Sequence, residues 1–130
     1  MKKVIITTVA LLSMMVSAVV ASAEQTQATK RFTKEMVSGK TMVSSAYTAG
    51  NVTFNDGGTL TCNGYPKVVV CKTWKIDQDG AIVREFDDNS SGAPKLVRAV
   101  WKLIENNGTS FRVTQTSNNS DKTSEITVSY

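Results

Sequence analysis

Apolar and polar side chains alternate with a period of two along much of the chain. Val97, Ala99, Trp101 and Leu103 share one face of a segment whose other face carries Arg98 and Lys102. Phe111 and Val113 oppose Arg112 and Thr114, and Ile126, Val128 and Tyr130 oppose Thr127 and Ser129. This period belongs to half-buried antiparallel strands. Turn chemistry punctuates the pattern: Ala49-Gly50, Asn55-Asp56-Gly57-Gly58, Asp77-Gln78-Asp79-Gly80, the polar run from Asp87 to Pro94, Asn106-Asn107-Gly108, and the stretch from Asn118 to Lys122. Strands are therefore predicted over 41–47, 52–54, 59–62, 68–76, 81–86, 95–105, 110–115 and 124–130. Ahead of them, 33–37 reads as one helical turn, with Thr33 as N-cap and Gly39 as terminator. Short connections make neighbours in sequence neighbours in space. The expected fold is all-β, an antiparallel up-and-down meander closing into a small barrel, with a β-sandwich as the alternative.

The N-terminus follows a different pattern. Lys2 and Lys3 precede an apolar run from Val4 to Val20, which ends on Ala21-Ser22-Ala23. A basic start, an apolar stretch and a small-x-small site describe a secretory signal peptide. The expected organisation is a signal peptide over 1–23, a flexible polar leader over 24–31 and a β-barrel domain over 32–130. The expected location is the periplasm or the extracellular medium. No cysteine follows the small-residue triplet, so no lipid anchor is expected. The closing Ile126, Val128 and Tyr130 resemble the aromatic-ended last strand of outer-membrane barrels. Such barrels need strands of about 9–11 residues and a continuous outward apolar band. Most strands here are shorter and carry charges, so a soluble barrel without stable membrane insertion is expected.

Export makes the two cysteines, Cys62 and Cys71, candidates for a disulfide. If residues 65–68 form a type I turn with Pro66 at its second position, pairs 64/69, 63/70 and 62/71 face one another across a hairpin. Close cross-strand pairs approach the separation a disulfide needs. The chain has no histidine. Two cysteines without histidine make a poor metal site, and the commonest general base is missing. The expectation is no metal, no cofactor and no catalysis.

Charge adds little. The chain of 130 residues has a formal net charge of +4, of which Lys2 and Lys3 carry two. Lys30, Arg31 and Lys34 cluster, but elsewhere the signs mix, and no basic stripe points to nucleic acid. Asp77, Asp79 and Gly80, with Asp87 and Asp88, invite a calcium reading. Their spacing does not match a calcium loop, and Asp and Gly are what a hairpin turn uses. Trp74 and Trp101 are the large anchors, suited either to the core or to the floor of an apolar pocket.

Residues 51–61, Asn-Val-Thr-Phe-Asn-Asp-Gly-Gly-Thr-Leu-Thr, form a strand, a glycine turn and a strand. With Thr73-Trp74-Lys75-Ile76-Asp77-Gln78-Asp79-Gly80, they resemble small bacterial lipocalin-like domains of the calycin type. These carry a Phe-x-x-x-Gly-Thr hairpin before a Thr-Trp-x-Ile/Val-x-x-x-Gly hairpin. The resemblance covers roughly residues 39–115, with Gly39-Lys40-Thr41 standing where the family has Gly-x-Trp. It implies a barrel with an apolar interior. On this reading the protein is an exported, non-enzymatic binding protein for a small apolar ligand, with Trp74, Trp101 and Phe111 as candidate ligand-binding residues. Separately, Ser90-Ser91-Gly92-Ala93 resembles the Ser-Gly-Ala loop of periplasmic lysozyme inhibitors. That keeps an alternative open: a protein-binding module that inhibits a cell-wall-degrading enzyme, working from loops such as 87–94.

Overall fold

The computed structural model describes residues 30–130. The expected signal peptide and residues 24–29 of the expected leader lie outside the described residues. Arg31–Tyr130 forms one compact unit. It holds one helical turn, α1 (Lys34–Val37), and eight strands: β1 (Thr41–Ser44), β2 (Tyr47–Phe54), β3 (Leu60–Asn63), β4 (Val69–Ile76), β5 (Ile82–Asp88), β6 (Lys95–Asn106), β7 (Ser110–Ser117) and β8 (Ser120–Ser129).

All strand pairs are antiparallel, and the single sheet has the order β3-β2-β1-β8-β7-β6-β5-β4. The chain is an up-and-down meander in a nearly closed barrel, as the alternation predicts. Neighbours in sequence pair, with one exception. β1 pairs with β8, while β3 and β4 stand at the two edges of the sheet. The barrel's seam therefore runs between β3 and β4. A single isolated bridge, Thr59 to Thr73, spans it, with the Trp74 amide donating to the Gly58 carbonyl at 2.9 Å.

The seam corrects the expected hairpin. Cys62 and Cys71 are bonded, with Cα atoms 6.0 Å apart, but not within a ladder. The disulfide laces two edge strands that do not otherwise pair at that level. The reason lies in the turn. The Val69 amide donates to the Pro66 carbonyl at 3.0 Å, so Pro66 opens the turn instead of occupying its second position. Gly64, at φ 78°, swings the chain away before it.

A second correction concerns β1 and β2. The strand predicted over 41–47 turns at Ser45-Ala46, where Ser44 pairs with Tyr47. The Ser44 hydroxyl accepts the Ala46 amide at 3.1 Å, and the Ser45 hydroxyl accepts the Thr127 amide at 3.0 Å. Serine side chains make the turn that glycine was expected to make. Ala49-Gly50 runs on inside β2. Gly50 serves close approach: a Cβ there would stand 2.8 Å from the Tyr65 ring.

The remaining turns follow their sequences. Asp77 accepts the Asp79 and Ala81 amides at 2.9 and 3.0 Å, and Gly80 takes φ 77°. Asn106 accepts the Gly108 amide at 2.9 Å. β8 begins at Ser120, earlier than the predicted 124, because Ser117 pairs with Ser120 across a two-residue turn.

The barrel interior fills from one end. Phe32, Val37, Met42, Phe54, Trp74, Ile82, Trp101, Leu103, Phe111, Val113, Ile126 and Val128 belong to one buried cluster. The segment 31–39 plugs that end. The Phe32 amide donates to the Gly80 carbonyl at 2.8 Å, and its ring meets Phe111 edge-on at 5.1 Å. The Gly39 amide donates to Phe54 at 2.6 Å. Arg31, at the end of the expected leader, lies against Gly80 and donates to the Gln78 carbonyl at 2.5 Å. Val97, Ala99, Trp101, Leu103, Phe111 and Val113 are buried, whereas Arg98, Lys102 and Arg112 are exposed, the sorting that period-two alternation requires.

Candidate functional site

The far end of the barrel is not filled. Inward positions there become small or polar: Ser44 on β1, Ala99 on β6, Ser117 on β7 and Ser120 and Ser124 on β8. Small residues at inward positions leave a cavity of about 530 Å³, open at the barrel mouth. Val52, Val69, Phe86, Val97, Ala99 and Trp101 supply its apolar wall. Its volume lies within the range of small-molecule sites, about 300–1,000 Å³.

Trp101 marks the boundary between core and cavity. It is 2% exposed, packs on Phe54 at 6.0 Å and lines the cavity. Its indole Nε1 donates to Gln115 Oε1 at 2.7 Å, because the two residues pair directly across β6 and β7. Arg84 enters from β5. It shares strand parity with Ile82 and Phe86, so it too points inward. Its guanidinium lies over the Trp101 ring, Cζ 3.9 Å from the centroid. Its Nη2 donates to the same Gln115 oxygen at 3.3 Å. One amide oxygen thus holds both an indole and a guanidinium, which fixes which way the Gln115 amide faces.

Burial pulls the Arg84 guanidinium down to about 10, partly opposed by Tyr65. It still carries its charge at neutral pH. Protein encloses it closely, yet it keeps some accessible surface, because the cavity it lines opens to solvent. Tyr65 and Tyr47 form a stacked aromatic wall at the mouth, rings 4.6 Å apart. The Tyr47 hydroxyl donates to the Gly64 carbonyl at 3.1 Å. Burial raises the Tyr65 phenol, Arg84 lowers it and Tyr47 raises it again. The Tyr65 phenol is therefore a neutral donor and acceptor at ordinary pH. Cys62 of the Cys62–Cys71 bridge lines the same cavity.

The structure separates the three residues singled out in the sequence. Trp101 lines the cavity; Trp74 and Phe111 do not. Trp74, 6% exposed, packs edge-on against Phe54 and donates its Nε1 to the Asn55 carbonyl at 2.9 Å. It borders a second hollow on the seam, beside Lys34 and Asp56. Phe111 sits at the plugged end between Phe32 and Tyr130, with the Lys40 ammonium 4.2 Å from the Tyr130 ring.

Sequence reasoning missed Arg84, Gln115, Tyr47 and Tyr65. The signal for two of them was present. Arg84 falls in phase with Ile82 and Phe86, and Gln115 in phase with Phe111 and Val113. Strict parity would have placed both inside the barrel.

No family model, curated protein or solved structure matches this chain.

Proposed function

We propose that this protein is an exported, non-enzymatic binding protein that takes a small, largely apolar ligand into the mouth of its barrel. The observation that carries the reading is the open cavity of about 530 Å³ above a packed core. A barrel serving only as a scaffold would fill its interior, since empty apolar space forfeits contacts. Here the plugged end is filled, while small side chains keep the other end open. The disulfide fits an oxidising compartment, and the basic-apolar-small start of the sequence supports export by a cleaved signal peptide.

The test uses the chain's own indoles. The chain has two tryptophans. Trp74→Phe leaves Trp101, at the cavity, as the lone reporter. The uncharged fluorophore N-phenyl-1-naphthylamine should brighten on binding and accept energy from Trp101 with saturable, micromolar-range affinity. A folded chain that gives neither brightening nor transfer refutes the cavity as a ligand site.

A second reading rests on a different surface. Val70 and Leu96, 46% and 42% exposed, flank Asp87 on the outer face near the loop from Asn89 to Pro94. This apolar spot beside a polar loop supports a protein-binding role, such as inhibition of a cell-wall-degrading enzyme. Saturating the cavity with probe would leave such an interaction unchanged.

A further inference from the structure

Arg84 carries a charge that the barrel does not answer. The ion pairs among the described residues are Lys72–Asp87, Arg98–Glu85, and Arg112 with Glu105 and Glu125. All involve outward-facing cations, and none includes Arg84. Among the described residues no Asp or Glu lines the cavity; its charged lining residues are Arg84, deep, and Lys122, at the mouth. Arg84 Nε is buried and has no hydrogen-bond partner among the described residues. The guanidinium has five N–H donors in a planar fork. Gln115 satisfies Nη2, and its oxygen is shared with the Trp101 indole. Trp101 covers one guanidinium face and helps to hold the fork in place.

A buried charge with no partner is costly, and native proteins pair or neutralise it. Guanidinium cannot neutralise itself by losing its proton near pH 7. Among the described residues no carboxylate answers Arg84, and the cavity it lines is open to an anion entering from solvent. We infer that the cavity binds an amphiphile with a single carboxylate head, the head meeting Arg84 at the cavity floor and the apolar body lying along Val52, Phe86, Val97 and Ala99. This rests on the cavity being a ligand site, as proposed above, and adds the class of ligand. One guanidinium, the only charged group deep in the chamber among the described residues, balances one charge. A doubly charged phosphate would bring a second charge with no deep cation to meet it. The Gln115 amide nitrogen, turned away from its two donors, offers the head a further N–H.

The experiment is a calorimetric titration of the oxidised protein with decanoate and with decan-1-ol, which share a chain and differ in charge. The wild-type chain should prefer decanoate by about tenfold or more, as a charge-assisted bond would give. Arg84→Gln should lose that preference, with decanoate affinity falling by about tenfold more than decanol affinity. Arg84→Lys, which keeps the charge but not the fork, should retain part of it. Near-UV circular dichroism checks that each variant folds, and the wild-type ratio of the two ligands stands as a test without any variant. Equal binding of both ligands to the wild-type chain overturns the anionic-head assignment and leaves the apolar cavity standing. A preference that survives Arg84→Gln also overturns it, and would place the anion elsewhere. Binding of neither ligand overturns the cavity reading itself.

Discussion

Gln115 is the side chain on which the cavity floor depends. Its oxygen accepts both Trp101 Nε1 and Arg84 Nη2. Gln115→Leu leaves both donors unsatisfied in a desolvated place, and each costs about 1–3 kcal/mol. Urea denaturation should show a loss of about 2–4 kcal/mol, with a red shift in Trp101 emission as the indole loosens. Arg84 behaves differently. Its folded-state pKa is depressed to about 10. The native state therefore holds this proton less tightly than the unfolded state, so stability rises with pH only above the folded value and the full penalty persists at neutral pH. Arg84→Met should then lie within about 1 kcal/mol of the parent at pH 7. A residue serving a structural ion pair would instead cost about 3–5 kcal/mol on removal. A loss of that size would assign Arg84 to the fold and not to a ligand.

At the scale of elements, the seam between β3 and β4 is the weakest line in the barrel. One bridge, the backbone and indole bonds of Trp74 to Gly58 and Asn55, and the Cys62–Cys71 bond hold it. The disulfide closes a short loop, so its entropic contribution should fall below about 3 kcal/mol. Replacing both cysteines with Ala should lower the melting temperature while far-UV circular dichroism stays that of a β-protein. Amide exchange should accelerate first in β3 and β4, since no ladder protects their facing edges. Uniform acceleration over all eight strands would contradict the seam. Most of the strands were legible in the sequence because their inward face is apolar and their turns use Gly, Asn and Asp. Two features were not. The Ser45-Ala46 turn hides because serine hydroxyls bonding to Ala46 and Thr127 do the work of a glycine. The separation of β3 from β4 hides because the cross-strand register of 62 and 71 suits a hairpin equally well; only the closure of β1 on β8 makes them the sheet's edges. The cavity was legible only in part. Trp101 stood out by size, whereas Arg84 and Gln115 are polar residues in inward phase, which pattern reading tends to assign to solvent.

Across the whole molecule, the barrel is asymmetric along its axis. One end is closed by 31–39, with Phe32 seated against Phe111 and its backbone tied to Gly80. Phe32→Ala removes a buried ring from that plug and should cost about 3–5 kcal/mol, measured by thermal or urea unfolding. It should leave decanoate binding at the opposite end little changed, because distant sites with no shared partners act independently. The central claim is that the open end is a working site and the plugged end is structural. The most direct test is a two-dimensional amide and indole NMR titration of the oxidised protein with decanoate. Shifts should be saturable and concentrate at the Trp101 indole and at residues 84, 86, 97, 99 and 115, while the amides of Phe32, Phe111 and Val113 stay still. Shifts confined to the outer face, or a spectrum unmoved at millimolar ligand, would contradict the account.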